Sequence, residues 1–442
     1  MNNYIRRKLQ SEIEKWINRP EILAIRGPRQ SGKTTLLEHL KLFLTNENKI
    51  VPENIIYISF EDKSKLANFS KDPSAYIESF LKRDSKVINN DLKRGKYYFL
   101  LDEFQYVKDG GSKLKLLYDN YKNIKFLITG SSSLELTSKT IKYLVGRVFL
   151  FDLYQFDFEE YLNTKEYNIL NYYREKSKLI HDFLYAGREV VDKNYGVIFE
   201  NELEKYFEEF CIYGGYPEVA ISDNAEEKRI ILENIFNTYI GKDIVDLLRL
   251  KDDLAVKNII LLCANQIGNV LEYSSLMSDS ATYFKKLKNY LAILEETYII
   301  CRLKPFFTNT TSEVKKNPKV FFIDNGLRNS VVNNFNPLNA RADSGSLVEN
   351  TVFSTMLKNK FSNMRYWRTI SKAEVDFVFQ FEGQIYPVEV KYSKMKSPLF
   401  GRSFINFVKK YKPKRGLILT KNFWALEKIE NTQVLFAPVW FL

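Results

Sequence analysis

Histidine, cysteine and long apolar runs are what this 442-residue chain has least of. Only two histidines occur, His39 and His181, which leaves little for His-based chemistry, and metalloprotease, HNH-type and Ser-His-Asp readings all lack parts. The three cysteines, Cys211, Cys263 and Cys301, are widely spaced and odd in number, so they read as reduced buried thiols and not as disulfides or a zinc site. No apolar run reaches about 18 residues. No basic start leads into a short apolar stretch with a cleavage site, so a soluble, cytoplasmic protein with no membrane partner is expected. Internal repeats are absent. Hydrophobic residues at 45% and charged residues at 27% exclude a disordered or collagen-like chain. The length exceeds what one core can serve, so several domains are expected.

Charge is present in excess but unevenly. Of the net +12, residues 311–442 carry +11, with 21 lysines and arginines against 10 acidic residues. A basic excess confined to one end suggests an anionic partner there, nucleic acid and DNA before others, with a lysine-rich coding bias as the alternative.

From the N-terminus to about residue 157, short apolar stretches alternate with longer amphipathic ones, the pattern of an α/β domain with a parallel sheet. Strands are expected at 22–25, 55–59, 97–101, 126–129 and 148–153. Residues 158–250 read as a helical subdomain broken by Gly214-Gly215-Tyr216-Pro217. Residues 251–310 read as a winged helix-turn-helix: a helix, a short helix at 273–277, a cap at 278–280, a helix from 281 to 295 and a strand at 298–301. There Lys285, Lys286 and Lys288 could face a DNA groove or serve a spacer helix. A polar stretch at 308–317 leads into the basic part, residues 311–442.

Gly27-Pro28-Arg29-Gln30-Ser31-Gly32-Lys33-Thr34, followed by Thr35, lies between an expected strand and an amphipathic helix. This is the setting of a phosphate-binding loop for ATP. Glycines let backbone N–H groups wrap phosphate oxygens, Lys33 reaches the β- and γ-phosphates, and the Thr34 hydroxyl can ligate Mg²⁺. The apolar run Tyr97-Tyr98-Phe99-Leu100-Leu101 delivers Asp102 and Glu103 at a strand's C-terminal end, where ligands of parallel sheets bind. Asp102 is expected on Mg²⁺ and Glu103 as the base for the attacking water. Thr129 and Ser131 could sense the γ-phosphate or make a plain turn. Arg147 could act as an arginine finger across the interface of a homo-oligomer, or be an exposed structural arginine.

The last part is expected to run helix (345–357), strands (364–368, 375–379, 385–391), helix (401–411) and strand (416–420). Glu349 falls in the first helix, Asp376 in an apolar strand, and Glu389 and Lys391 on one face of the next. A turn at Glu382-Gly383 would bring Asp376 beside Glu389, and two such carboxylates call for a cation, Mg²⁺ or Mn²⁺. Lys391 would stabilise charge on a scissile phosphate. Glu-x-Lys is a cheap pattern, and it recurs as Glu313-Val314-Lys315. A salt bridge of Lys391 on a solvated sheet face is the alternative. Nine lysines and arginines and no acids between Lys391 and Leu426 suit a phosphate backbone, with a solvated basic helix as the alternative.

The motifs quoted, with Gly146-Arg147, the Gly-Gly-Tyr-Pro break, Lys319-Val320-Phe321-Phe322-Ile323-Asp324-Asn325-Gly326-Leu327-Arg328, Tyr366-Trp367-Arg368, Glu374-Val375-Asp376-Phe377 and Pro387-Val388-Glu389-Val390-Lys391, resemble a family of archaeal and bacterial AAA+-type ATPases with a C-terminal domain of unknown function. The resemblance implies a P-loop ASCE/AAA+ core (1–157), a helical lid (158–250), a winged helix (251–310) and a restriction-endonuclease-like domain similar to PD-(D/E)xK nucleases (311–442). It puts Glu349, Asp376 and Glu389 on metal positions, with Asp376, Glu389 and Lys391 in catalysis. The lid arginine that senses nucleotide in that family has no evident counterpart here. The expectation is an ATPase coupled to a Mg²⁺-dependent DNA nuclease in mobile-element or defence-related DNA processing. A nucleotide-switched DNA-binding scaffold and an ATPase that remodels a protein partner are the rivals.

Overall fold

The computed structural model describes residues 4–81, 95–131, 141–188, 199–238, 254–306 and 316–442. The sequence motif at 313–315 and part of the polar stretch at 308–317 lie outside them. The chain forms two compact units, Met1–Gln155 with Glu296–Tyr298, and Phe156–Glu295 with Ile299–Leu442.

In the first unit, strands β1 (Ile22–Arg26), β2 (Ile55–Ser59), β3 (Tyr97–Asp102), β4 (Ile124–Gly130) and β5 (Val148–Asp152) form one parallel sheet ordered β2-β3-β4-β1-β5. Alternate residues of β3 enter opposite cores, so the strand is apolar throughout. Tyr97, Phe99 and Leu101 pack on the side covered by Phe69, Ile77, Leu114 and Leu117. Tyr98 and Leu100 pack on the side covered by Ile13, Leu36, Leu37 and Leu40. Parallel order puts the ends of β1, β3 and β4 at one edge, and Arg26, Asp102 and Gly130 leave the sheet there together.

The second unit opens with helices Phe158–Leu162, Tyr167–His181, Glu200–Tyr213, Pro217–Ile221 and Ala225–Thr238. Helices Leu254–Asn265, Tyr273–Asp279 and Phe284–Glu296 follow. The cap expected at 278–280 is instead the end of the short helix, where the Ser280 hydroxyl donates to the Leu276 carbonyl at 2.5 Å. This back-bonding satisfies a terminal carbonyl and not a following N–H. The next strand is β6 (Ile300–Leu303), and it pairs antiparallel with β7 (Lys319–Phe322).

Helices Asn325–Val331 and Ser344–Lys358 precede β8 (Arg365–Arg368), β9 (Glu374–Phe381), β10 (Gln384–Lys391), helix Arg402–Tyr411, β11 (Arg415–Thr420), β12 (Ala425–Ile429) and β13 (Thr432–Pro438). These strands make a sheet ordered β12-β13-β11-β10-β9-β8. Strands β12 and β13 extend the expected helix-strand order. A two-residue turn at Glu382-Gly383 closes the β9–β10 hairpin, with Gln384 opposite Phe381 and Val388 opposite Phe377. Helix Arg402–Tyr411 buries Phe404, Phe407 and Val408 against Val375, Val378 and Ile418.

Candidate functional site

At the first unit's strand-end edge the loop Gly27–Gly32 curls into helix Lys33–Asn46. Gly32 takes φ +91, a left-handed conformation that a side chain would strain. Lys33 is buried, and its Nζ donates to the Gly27 and Pro28 carbonyls at 3.1 and 2.8 Å. The Arg7 guanidinium braces the loop, donating to the Ser31 carbonyl and to that of Tyr154, both at 2.7 Å. Buried Ser31 Oγ has no hydrogen-bond partner, an orphaned donor within the loop. Arg29 is half-buried, while Gln30, Thr34 and Thr35 are not enclosed.

The Thr34 hydroxyl donates to Asp102 Oδ2 at 2.8 Å, which places the two expected Mg²⁺ ligands side by side. The Tyr57 hydroxyl donates to the same oxygen at 2.7 Å. Thr129 Oγ1 donates to Asp102 Oδ1 and accepts the Glu103 N–H at 3.1 Å. Glu103 itself sits at φ +53, which turns it away from the strand direction. Gln105 Nε2 donates to Glu103 Oε2 and to Ser131 Oγ, the latter at 3.1 Å. Burial pushes the Glu103 carboxyl above its ordinary value, partly offset by Lys33 and the Gln105 amide.

The structure therefore gathers Lys33, Thr34, Asp102, Glu103, Thr129 and Ser131 at one edge. Tyr57 and Gln105 join them there without any expectation from sequence. An orphaned Ser31 hydroxyl, an inward lysine and a hydroxyl–carboxylate pair fit a Mg²⁺-bound nucleotide. Arg147 does not join them. Its carbonyl accepts from the Ile22 N–H at the start of β1, the opposite edge of the sheet, and its side chain pairs with Asp119 at 3.0 Å.

In the second unit, Asp376 and Glu389 are the next residues beyond the Phe377–Val388 pair. Asp376 Oδ2 accepts the Val390 N–H at 2.8 Å, and Lys391 Nζ lies 2.8 Å from Glu389 Oε1. Glu389 Oε2 is buried without a partner. Glu349 lies in the same cluster, but its Oε1 is bound by Lys319 Nζ at 3.1 Å. Lys319 also lies 2.5 Å from Glu374 Oε1, and Arg368 lies 3.3 Å from Glu374 Oε2. Burial raises the carboxyls of Glu349, Asp376 and Glu389, with Lys319 opposing it at the first two and Lys391 at the third.

The structure does not assemble Glu349, Asp376 and Glu389 as a ready metal set. Among the described residues no group of three or more His, Cys, Asp and Glu side chains is placed to hold a metal ion. The cluster's nearest counter-charges are amines: Lys319 takes an oxygen of Glu349, and Lys391 takes one of Glu389. The donor set as arranged does not fit a divalent cation. Lys319 carries a sequence signal, a charged residue opening the apolar strand Lys319-Val320-Phe321-Phe322.

Residues 19–162 match the family model of an AAA domain. Residues 204–338 and 344–440 match two further models, each described as a domain of unknown function (DUF8612 and DUF4143). The chain is 24% identical over 446 residues to an uncharacterized protein of Haemophilus influenzae, covering 100% of this chain and 98% of that one. To an uncharacterized protein of Methanocaldococcus jannaschii it is 28% identical over 367 residues, covering 81% and 72%. Among solved structures it is similar to AMPPCP-bound DnaA from Aquifex aeolicus at 13% identity and a TM-score of 0.25, covering 56% and 82%, a likeness too slight to bear on this chain's function. The AAA match and the edge geometry define the first unit as an AAA-type, ATPase-like domain. Among the described residues no helix is long and apolar enough to cross a membrane.

Proposed function

We propose that this protein binds and hydrolyses ATP at the Lys33–Glu103 edge, and that its nucleotide state governs engagement of DNA by the basic C-terminal part. The observation that carries the first half is the Thr34–Asp102 hydrogen bond beside buried Lys33. Mg²⁺ bound there would neutralise charge on the β- and γ-phosphates. Lys33 would exchange its loop carbonyls for phosphate oxygens, and Ser31 Oγ would gain an acceptor. Glu103 would take the proton of the attacking water, with Gln105 holding the carboxylate toward Ser131. Arg147, at the far edge of its own sheet, would reach nucleotide only on a neighbouring copy, which makes a homo-oligomer part of this proposal. Steady-state ATP hydrolysis with and without DNA tests it. Turnover lost in Lys33→Ala and raised by DNA in the parent supports the proposal, and turnover indifferent to both overturns it.

DNA as partner rests on the +11 balance of residues 311–442. A winged helix-turn-helix formed by helices Leu254–Asn265, Tyr273–Asp279 and Phe284–Glu296 with the β6–β7 hairpin would add a second contact. In helix Phe284–Glu296, Lys285 and Lys288 are exposed.

A second reading, metal-dependent DNA cleavage at Asp376, Glu389 and Lys391, requires the amines now on Glu349 and Glu389 to give way to a cation, and one observation favours it: the buried, unpartnered Glu389 Oε2. Plasmid incubated with Mg²⁺ or Mn²⁺, with and without ATP, tests it. Strand breaks lost in Asp376→Ala support cleavage, and intact plasmid throughout rejects it.

A further inference from the structure

The second unit's carboxylate cluster raises the question of what balances its charge. Four carboxylates, Glu349, Glu374, Asp376 and Glu389, stand against three cations, Lys319, Arg368 and Lys391. With every carboxyl ionised, one negative charge would be left over. A divalent cation draws its binding energy from uncompensated oxygen ligands, and each amine already seated removes both a charge and a ligand atom.

Lys319 is the amine that matters most. It opens β7 and is only 1% exposed as a side chain, whereas Lys391 is 45% exposed and can swing away. Its Nζ bridges Glu349 on helix Ser344–Lys358 and Glu374 on β9, so three separate elements meet at one ammonium. The Tyr366 ring lies 5.6 Å away and closes another side. A buried ammonium needs compensating oxygens, and here the carboxylates of Glu349 and Glu374 supply them. Removing it would leave Glu349 without its paired cation beside Asp376, the condition under which a metal ion is taken up.

We infer that Lys319 serves as the resident counter-ion of this cluster and excludes a divalent cation from it, so that the C-terminal site engages its partner without a bound metal. The inference goes beyond the ATPase proposal and stands apart from it, because ATP turnover is read at Lys33 and Glu103.

Mn²⁺ binding to the full-length, nucleotide-free protein, followed by electron paramagnetic resonance, tests the assignment. The parent and Asp376→Asn proteins are expected to bind the same number of Mn²⁺ ions. Lys319→Gln is expected to bind one more, and that ion should be lost again in Lys319→Gln/Asp376→Asn. A parent that binds an Mn²⁺ missing from Asp376→Asn overturns the inference, as does a folded Lys319→Gln that gains none. If Lys319→Gln fails to fold, the parent-against-Asp376→Asn comparison still decides, with equal stoichiometry supporting the inference and a deficit in the variant rejecting it.

Discussion

Asp324 Oδ2 accepts the Gly215 N–H at 2.8 Å. Its Oδ1 accepts the Leu327 N–H at 3.0 Å, capping helix Asn325–Val331, so one buried carboxylate joins two distant sequence signatures. Gly214 makes this possible: at φ +73, a Cβ there would lie 2.2 Å from Asp324 Oδ1. Gly214→Ala combines left-handed strain with steric overlap and should cost about 2–4 kcal/mol of stability. Urea unfolding checks this, and an unchanged midpoint contradicts it.

Glu103 acts as a base only when ionised, and burial holds its carboxyl above the ordinary 4.5. Turnover should therefore fall on acidification at a pH above 4.5, because protonation sets in earlier than for an exposed glutamate. The Gln105 amide favours the charged form, so Gln105→Ala should move the acid limb of the kcat profile further up. Superimposable profiles for the two proteins would show that Gln105 does not position Glu103.

Tyr57 donates to the oxygen of Asp102 that Thr34 also contacts. Tyr57→Phe removes one hydrogen bond and should cost about 0.5–1.5 kcal/mol in stability. A larger effect is expected on Mg²⁺, with the half-saturating concentration for ATP turnover changing several-fold as Asp102 loses a fixed partner. An Mg²⁺ dependence identical to the parent's would leave Tyr57 without a role at the site.

If the basic C-terminal part binds a phosphate backbone, the logarithm of the DNA affinity should fall linearly with the logarithm of salt concentration. Replacing Lys409, Lys410, Lys412 and Lys414 with glutamine should flatten that slope by about one for each phosphate no longer neutralised. Fluorescence anisotropy across a salt series measures it, and an unchanged slope points the DNA elsewhere.

The nucleotide edge is legible in the sequence because its chemistry is local. Glycine spacing, an apolar strand and two terminal carboxylates are contiguous signals, and the parallel sheet brings Lys33, Thr34, Asp102 and Glu103 together. Tyr57 is not legible, because its role depends on β2 lying next to β3, which strand pairing reveals and composition does not. In the C-terminal sheet the hairpin at Glu382-Gly383 is readable, and so is the nearness of Asp376 to Glu389. The place of Lys319 is hidden, since its bond to Glu349 joins residues on two separate elements across 30 positions of sequence. The helix start at Phe284 differs from the one expected near 281 because Ser280 has the chemistry of a cap but bonds backward to Leu276.

The most direct measurement is single-turnover ATP hydrolysis by the parent and by Glu103→Gln, with nucleotide binding recorded on the same samples. Glu103→Gln should bind ATP as the parent does and hydrolyse it at least about 100-fold more slowly, the scale of a lost general base. Hydrolysis at the parent rate by a Glu103→Gln protein that binds normally would contradict the account.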